Sequence, residues 1–466
     1  MERRDFLALI GVGALGAAGL GACGDSPKSP KGAGKADGFP LGAAASAKTK
    51  PVPITFWHSM TSADLLALAS LTARFNSSQH DVHVELVNQN SYAGTLAELA
   101  RAIPRGSFPD LVQMDSAYLQ QLIDTHKVVA VQEAIEADGY DMADFLPAAT
   151  ESFRVANSLW AMPFNCSVQV LYYDKAAFRR VGLDPSSPPV DASHMISASQ
   201  AFVGPGTERY GMSLKLSSQN LYQWMALGGE PVVDHGNGRG SRATAVTLGT
   251  AGGSPFFGWL SEMFSRKLAQ VIPIGSYDNL LDIANKVAPM TIESSNSLGT
   301  ITQTLKGGHY DAELAIAPMP RVLPPSSSGG AIAQGGGLHL LHGPSAERLD
   351  GAWQFVKYLV QATSQAQWAA ATGFVPVRKS AAQMSNVQSV WGANPGYRLA
   401  YDQLLASPGT SVTSVPVLGA SSATITAFEA AMAQVSQGGK ASVQLAKAVT
   451  ESDTAIHSYN AKLSHA

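Results

Sequence analysis

Apolar residues recur with two different periods along the chain after residue 50. The segments "PITFW" and "VHVELV" are short and apolar or alternate with period two, which predicts strands. "SADLLALASLTARFN" and "YAGTLAELARAI" repeat apolar residues at helical spacing, with Ser62 as the expected cap of the first helix and Pro104 with Gly106 ending the second. A third strand, "PDLVQMD", and a third helix, "AYLQQLIDTH", follow. Strands and helices in alternation predict an α/β fold with parallel strands whose carboxyl ends share one rim.

The rest of the chain is less regular. "RVANSLWAMPF" predicts a hairpin, and "SVQVLYYDKAAFRRVGL" runs from a strand into a helix that ends at Gly182. "AIAQGGGLHLL" predicts a strand entered through three glycines, and helices follow it to the end of the chain. The stretch from about 185 to 285 is rich in Ser and Gly and carries no clear period. Its elements are therefore left open.

The first 50 residues indicate an exported protein. Arg3 and Arg4 precede an uncharged apolar run that ends in "LGAC", and this order resembles a signal peptide with a lipobox whose Cys23 is lipidated. The paired arginines resemble a twin-arginine export signal. Residues 24–50 are small and polar, which predicts a flexible tether. We expect residues 1–23 to form a lipoprotein signal peptide whose lipobox Cys23 becomes the new N-terminus, and the protein to be anchored by lipid to the outer face of the cytoplasmic membrane.

Composition narrows the classes of partner. Charged residues make up 14% of the 466 residues and the net charge is −3, so a concentrated basic surface for nucleic acid is not expected. Cys23 and Cys166 are the two cysteines. If Cys23 carries lipid, no disulfide forms within the mature chain, and the protein depends on its apolar core. We expect a monomer.

Sequence patterns of catalysis are weak. His58 and Ser59 are adjacent, but no GxSxG elbow occurs, and neighbouring residues on a strand point to opposite faces. The histidines show no HExxH spacing, and Cys166 fits a buried thiol better than a nucleophile. We therefore predict no catalytic residues, no metal site and no cofactor. An exported, lipid-anchored enzyme acting on sugars or phosphodiesters remains the alternative, and a sensor module is a third possibility.

Small polar and aromatic residues follow several predicted strands. The candidates for a shared ligand site are Trp57, Tyr92, Asp115, Ser167, Ser294 and Gly335. Aromatic faces cover apolar patches of a ligand while Asp and Ser bind hydroxyl groups. This combination favours a small polyhydroxylated solute.

Four stretches give the chain a family resemblance. "PITFWHSM", "PFNCSVQVLYYDKAAFRRVGLDPSSPP", "MTIESSNSLGTI" and "TGFVPVRKSA" resemble the extracytoplasmic solute-binding proteins of carbohydrate-type ABC importers, which include maltose-binding protein. Within them, the chain is most similar to the glycerol-3-phosphate and glycerophosphodiester-binding family. The resemblance implies a solute-binding lipoprotein that delivers its ligand to ABC permease subunits in the membrane.

The resemblance also implies an architecture and a site. It implies a periplasmic-binding-protein fold of two α/β lobes with the ligand in the cleft between them. Lobe one would comprise residues 53–165 and 334–373, and lobe two residues 166–333 and 374–466. The family pattern assigns ligand contacts to Tyr92, Asp115 (or Ser116 if the alignment has no gap), Ser167, Ser294, Gly335 and the aromatic position of "TGFVP", Phe374.

Two positions depart from that pattern. Phe374 stands where the family has Tyr, so a hydroxyl is lost. The Arg that holds phosphate in the relatives should lie near 415–425, yet the chain contains no Arg after Arg398. Arg is the residue best suited to bidentate phosphate binding, and Arg378 is the one substitute that the motif offers. The sequence therefore predicts that a neutral sugar or polyol competes with glycerol-3-phosphate, with glycerophosphodiesters as further candidates.

Overall fold

The computed structural model covers the globular part of the chain. The residues that it describes are 38–46, 50–203, 208–249, 252–307 and 311–464. The predicted signal peptide, Cys23 and most of the predicted tether lie outside these residues. No helix within the described ranges combines the length and apolarity needed to cross a membrane.

The first sheet begins with the predicted alternation of strands and helices. Strands β1 (Val52–His58), β2 (Val82–Asn88) and β3 (Leu111–Asp115) alternate with helices α1 (Ser62–Ser78) and α2 (Tyr92–Ala102). β1 lies in the middle and pairs in parallel with both β2 and β3. The prediction of a parallel α/β unit is confirmed, and the carboxyl ends of these strands meet at one rim.

The capping prediction for α1 was wrong. The N-cap is Thr61, which makes no side-chain capping bond, and Ser62 is already the first helical residue, with φ of 50°. α2 ends as predicted, because a 3₁₀ turn at Ile103–Arg105 leads into Gly106, whose φ of 68° is the left-handed conformation that glycine adopts easily.

Three further strands complete the first sheet. They are β4 (Val128–Val129), β7 (Met162–Ser167) and β13 (Gln334–Leu341). β13 is antiparallel to β3, β4 and β7. A strand from late in the chain therefore joins the strands from its beginning in one sheet. The predicted hairpin forms a small separate ladder, β5 (Arg154–Val155) with β6 (Ser158–Leu159).

The second sheet has five strands in the order β10-β9-β11-β8-β12. These strands are β8 (Gln169–Asp174), β9 (Met212–Lys215), β10 (Ala269–Ile272), β11 (Met290–Ser294) and β12 (Leu314–Pro318). β9 pairs in parallel with β10 and β11, whereas β8 is antiparallel to β11 and β12. Only Val168 separates β7 in the first sheet from β8 in the second, so the chain passes directly between the sheets there.

Helices cover both sheets. They are α3 (Leu119–Ile123), α4 (Val131–Asp138), α5 (Pro147–Glu151), α6 (Lys175–Arg180), α7 (Ala192–Val203), α8 (Ser218–Gly228), α9 (Gly253–Ser265), α10 (Asp278–Ala284), α11 (Leu298–Gly307), α12 (Ala346–Val360), α13 (Ala362–Thr372), α14 (Lys379–Ala382), α15 (Ser385–Ala393), α16 (Gly396–Ala406), α17 (Ser421–Ser436) and α18 (Ala441–Ser464). Short helical turns lie at Ala44–Ser46, Ser116–Tyr118, Asp234–Asn237, Ser295–Ser297 and Ser411–Thr413.

Large aromatic side chains join the helices to each sheet. On the first sheet, Phe355 of α12 meets Phe56 edge-on at 6.0 Å, and Trp368 of α13 lies 4.7 Å from Phe164, measured between ring centroids. On the second, Trp224 of α8 lies 5.2 Å from Trp259 of α9. Such buried aromatic pairs add about 0.5–1.5 kcal/mol each beyond the apolar area that they remove from water.

The two sheets are also linked away from the crossover. The buried guanidinium of Arg239 donates to the carbonyls of Glu151, Ser152, Arg154 and Val415 at 2.7–3.2 Å. These contacts fix the β5-β6 hairpin and the residues before it to the chain that leads into α17. The fold is the two-lobed, mixed α/β architecture that the family resemblance implied.

Candidate ligand-binding cleft

A cavity of about 330 Å³ opens between the carboxyl ends of the first sheet and the edge of the second. Its lining is rich in hydroxyl and amide groups and comes from both sheets. The lining residues are Ser59, Met60, Asn90, Ser91, Tyr92, Asp115, Asn165, Ser167, Gln169, Gln219, Ser294, Gln334, Gly335 and Phe374.

Most of the residues predicted for the ligand site line this cavity. Those that do are Tyr92, Asp115, Ser167, Ser294, Gly335 and Phe374. Trp57 does not line it, because its side chain is 8% exposed and packs in an apolar cluster with Leu96, Leu99 and Val112. Ser116 is fully buried at the start of a 3₁₀ turn and also lies outside the lining.

His58 and Ser59, the adjacent pair that resembles catalytic residues, form hydrogen bonds with other residues and not with each other. Ser59 Oγ shares a hydrogen bond of 2.9 Å with Thr95 Oγ1, while His58 Nδ1 accepts the backbone N–H of Met60 at 3.2 Å. Burial lowers the pKa of His58 to about 4. Ser59 therefore reaches the cavity as a polar wall residue, and His58 is a core residue next to Phe56.

A chain of side-chain hydrogen bonds holds one wall. The amide of Gln113 accepts from the backbone N–H of Ser59 at 3.1 Å and donates to Asn165 Oδ1 at 2.7 Å. Asn165 Nδ2 in turn donates to the hydroxyl of Tyr92 at 3.4 Å. Such a relay positions the Tyr92 ring before a ligand arrives, which lowers the entropy cost of binding.

The backbone at position 335 requires glycine. Its φ is 134°, and an added Cβ would lie 2.0 Å from the carbonyl oxygen of Asn165. The neighbouring Gly336 leaves room for the Tyr92 hydroxyl, which would lie 2.8 Å from a Cβ there. The triple glycine that the sequence showed thus lets the backbone of β13 approach both Asn165 and Tyr92 closely.

Sequence reasoning missed several amides, although a signal was present. Asn165, Ser167 and Gln169 alternate with period two through the quoted "NCSVQ", so they share one face of an extended segment. Only Ser167 was selected. Gln169 donates to Gln334 Oε1 at 2.8 Å, and Gln334 donates to the carbonyl of Gln219 at 3.1 Å. Gln219 belongs to α8, in the stretch where the sequence carried no period.

Ser294 lines the cavity and carries a hydroxyl that is not used within the described part of the protein. Its Oγ is buried and makes no hydrogen bond with the described residues, while its backbone carbonyl accepts from Tyr172 at 2.8 Å. A buried hydroxyl without a partner costs free energy. A ligand group that binds this oxygen removes that cost.

A second cavity of about 240 Å³ adjoins the first. The two share Tyr92, Asp115, Gln219 and Gln334, so they are two parts of one cleft. The second is lined in addition by Ala117, Tyr118, Ser217, Ser218, Tyr222, Ile274, Val415, Ile425 and Glu429. The segment in which the family pattern expects the phosphate-binding Arg therefore does reach the cleft, with Val415 and Ile425.

Asp115 is the acidic group common to both cavities. Its side chain is 8% exposed, and its Oδ1 accepts the backbone N–H of Ala117 at 2.8 Å. Burial raises the pKa of Asp115 to about 6. No salt bridge joins it to a described residue, so its charge is available to a ligand.

Basic side chains are engaged outside the cavities. No Lys, Arg or His of the described ranges lines either one. Arg378, the suggested phosphate-binding substitute, donates to the carbonyl of Val360 at 2.6 Å and to Asp144 at 3.2 Å, and lies 4.2 Å from the ring centroid of Phe145. Its assignment as a substitute was wrong. Lys215, in the stretch that was left open, pairs with Glu293.

Comparison with known proteins agrees with this geometry. The family model described as bacterial extracellular solute-binding protein matches residues 70–395, well over half of the chain. A curated relative, the sn-glycerol-3-phosphate-binding periplasmic protein UgpB of Pectobacterium atrosepticum, is 27% identical over 380 residues, covering 78% of this chain and 82% of the relative. UgpB of Escherichia coli O1:K1 is 26% identical over 402 residues, covering 82% and 88%.

Solved structures share the fold at low identity. UgpB of Mycobacterium tuberculosis in complex with glycerophosphocholine has a TM-score of 0.68 at 20% identity, covering 89% of this chain and 98% of that one. The sugar-binding protein MalE of Xanthomonas citri has a TM-score of 0.71 at 19% identity, covering 88% and 98%. The chain belongs to the bacterial extracellular solute-binding protein family.

Proposed function

We propose that this protein captures a small polyhydroxylated solute in the cleft and delivers it to the permease of an ABC importer. The observation that carries the proposal is the first cavity, where hydroxyl and amide groups from both sheets face one space of about 330 Å³. A sugar, a polyol or the glycerol part of a glycerophosphodiester matches such a lining, because each of its hydroxyl groups can both donate and accept.

The proposed residue roles follow from the chemistry of the lining. Tyr92 and Phe374 would cover the apolar edges of the ligand. Ser167, the unpartnered Oγ of Ser294 and the carboxylate of Asp115 would bind its hydroxyl groups, and Gly335 would let the ligand approach the backbone. A phosphate monoester fits this lining less well, since no described cation faces it.

We also propose the division into lobes and the anchoring that the sequence suggested. Lobe one would be residues 53–165 with 334–373, and lobe two residues 166–333 with 374–466. The chain would be exported, lipidated on Cys23 and tethered by residues 24–50. Replacing Cys23 by Ala should release the protein from the membrane fraction or leave it unprocessed. A processed Cys23→Ala protein that stays on the membrane would contradict the lipid anchor.

A thermal-shift screen over sugars, polyols and glycerophosphodiesters tests the proposal. A ligand at a hundredfold excess over its Kd stabilises the folded state by about 2.7 kcal/mol, which raises Tm measurably. At least one member of these classes should do so, and the same ligand should be recovered unchanged after incubation. Turnover of the ligand would instead support the alternative of an exported enzyme, and no shift with any member would reject the proposed ligand class.

A further inference from the structure

We propose that the second cavity binds the positively charged end, an ammonium or quaternary ammonium group, of a ligand whose hydroxyl groups lie in the first cavity. The inference rests on the proposed function, because it concerns the same cleft and names the chemistry of the second half of the ligand. Its basis is a cavity that combines two carboxylates with three tyrosine rings.

The carboxylates are Asp115 and Glu429, which line the cavity from two elements that are distant in sequence. Asp115 follows β3 of the first sheet, and Glu429 lies in α17 beside the second. Neither forms a salt bridge with a described residue. Each has one oxygen engaged, Asp115 Oδ1 by the N–H of Ala117 and Glu429 Oε1 by the N–H and hydroxyl of Ser218 at 2.9 and 3.1 Å. The second oxygen of each carboxylate remains for a ligand.

Burial and the charges of the two carboxylates raise the pKa values of the hydroxyl groups of the three tyrosines. Tyr118 lines the second cavity together with Asp115 and Glu429, and its pKa is raised by burial and by the charges of both carboxylates. Burial with the charge of Asp115 raises the pKa of Tyr92, and burial with that of Glu429 raises the pKa of Tyr222. A cation above a tyrosine face is attracted by the ring, and quaternary ammonium groups are commonly held by aromatic side chains in this way.

An anion would meet the opposite conditions. The N-terminus of α8 faces this cavity and would be the natural place for a phosphate. Two of its donors are already engaged, since Ser217 Oγ accepts the N–H of Asn220 at 3.3 Å and Glu429 accepts the N–H of Ser218. Glu429 also supplies negative charge where the family pattern expects an Arg nearby. A phosphate group in this cavity would be repelled by two carboxylates, whereas a cation neutralises them.

The adjoining cavities limit the size and shape of the ligand. They share Tyr92, Asp115, Gln219 and Gln334, so a single small molecule can occupy both. The ligand therefore has a polyol end and an ammonium end. Two kinds of compound have this chemistry: zwitterionic glycerophosphodiesters with an amino or choline head group, and amino sugars.

Calorimetric titration with matched ligand pairs tests the inference. Glycerophosphocholine and glycerophosphoglycerol share a phosphodiester and a glycerol, but only the first carries a cation. Glucosamine and glucose form a second pair, in which only glucosamine carries an ammonium group. We expect the cationic member of at least one pair to bind about tenfold or more tightly, because a charge-assisted contact of about 1.5–3 kcal/mol is gained. The pair that shows the difference identifies the source of the ammonium group.

The variant Glu429→Gln sharpens the test, since Gln retains an oxygen that can accept from Ser218. It should weaken the cationic ligand about tenfold and its neutral partner less than threefold. The control Glu262→Gln removes an exposed carboxylate that pairs with Arg266 on α9 and should change neither. Equal affinity within both pairs, or equal losses for both members on Glu429→Gln, would overturn the inference while leaving the proposed function intact. If none of the four ligands nor any other polyol binds, the proposed function itself fails.

Discussion

The two halves of the cleft differ in chemistry although they share one wall. The first is lined by serine hydroxyls and by side-chain amides that are already linked through Gln113, Asn165 and Tyr92. The second is lined by tyrosines, aliphatic side chains and a second carboxylate, Glu429. Donors and acceptors are mixed in the first half, whereas charged acceptors and aromatic faces dominate the second.

This difference indicates a ligand with two unlike ends. Mixed donors and acceptors suit hydroxyl groups, each of which has one hydrogen to give and lone pairs to offer. Carboxylates offer acceptors only, and without a neighbouring cation they attract positive charge. In our proposal, the second half, which has Glu429 and no described cation in its lining, favours positive charge, while the first half binds hydroxyl groups.

Removing the wall that both halves share should have the largest effect. Tyr92→Ala deletes an aromatic face and the acceptor of the Asn165 amide, and we expect affinity for any bound ligand to fall about a hundredfold. Tyr92→Phe keeps the ring and should cost only about three- to tenfold. Calorimetry on both variants measures the ratio. An unchanged Kd for Tyr92→Ala would separate this residue from the site and end the comparison of the two halves.

Acidification should weaken the binding of a cationic ligand more than the binding of a neutral one, because Asp115 loses its charge but can still form hydrogen bonds. Because burial raises the pKa of Asp115 to about 6, its carboxylate is lost as the pH falls through 6, and a cationic ligand should bind roughly tenfold more weakly at pH 5 than at pH 7.5. The stability of the free protein changes in the opposite direction. Asp115 takes up a proton more readily when folded than when unfolded, so its contribution to the unfolding free energy decreases as the pH rises from about 4 to about 6.

The variant Asp115→Asn should flatten the pH dependence of binding between pH 5 and 7.5. The facing tyrosines, Tyr92 and Tyr118, have raised pKa values and keep their protons over this range. Asp64, whose pKa burial also raises to about 6, lies in the first turn of α1, and Asp64→Asn is the matched control that should leave the profile in place. If Asp64→Asn abolished the pH dependence of binding and Asp115→Asn did not, the titrating group would be Asp64 and our assignment to Asp115 would be wrong.

A neighbouring pair of serines separates binding from folding within the first half. Ser294 Oγ has no partner, whereas Ser295 Oγ accepts the backbone N–H of Val168 at 3.2 Å. Ser294→Ala should therefore weaken ligand binding about three- to tenfold and raise Tm slightly, because a buried hydroxyl without a partner is removed. Ser295→Ala should lower the unfolding free energy by about 1 kcal/mol with little effect on Kd. A lower Tm for Ser294→Ala together with weaker binding for Ser295→Ala would contradict this assignment, because Ser295 would then bind the ligand and Ser294 would stabilise the fold.

The smallest expected signal is a change of shape. If the two lobes close over the ligand, as hinged domains commonly do, small-angle scattering should give a smaller radius of gyration at saturation. The two halves of the cleft would then act on one ligand at once. Identical scattering profiles with and without a ligand that calorimetry shows to be bound would argue against closure.

The strands and helices of the regular regions could be read from the sequence. β1, β2 and β3 were predicted from apolar runs and alternation, and their parallel pairing followed from the intervening helices. The second sheet was only partly predicted. β9 is buried along its whole length, and β10 is four residues long, so neither shows the alternation that identifies a strand with one exposed face.

The lining of the first cavity was predicted from the sequence where its residues follow strand ends or lie in the quoted motifs. Tyr92, Asp115, Ser167 and Ser294 stand at such positions. Trp57 also follows that rule but points into an apolar cluster, since alternation along β1 decides which side chains reach the rim. Glu429 lies in the middle of a helix distant in sequence, and only tertiary packing brings it to the cleft. No local pattern could have identified it.

Titration of glycerol-3-phosphate against a neutral polyol or sugar and a glycerophosphodiester tests the central claim most directly. In our proposal this cleft recognises hydroxyl groups, and none of its described lining residues is a cation that could bind a phosphate monoester. We expect glycerol-3-phosphate to bind at least about tenfold more weakly than the best of the other ligands. Tight binding of glycerol-3-phosphate, with no heat from any neutral or zwitterionic ligand, would contradict the proposal.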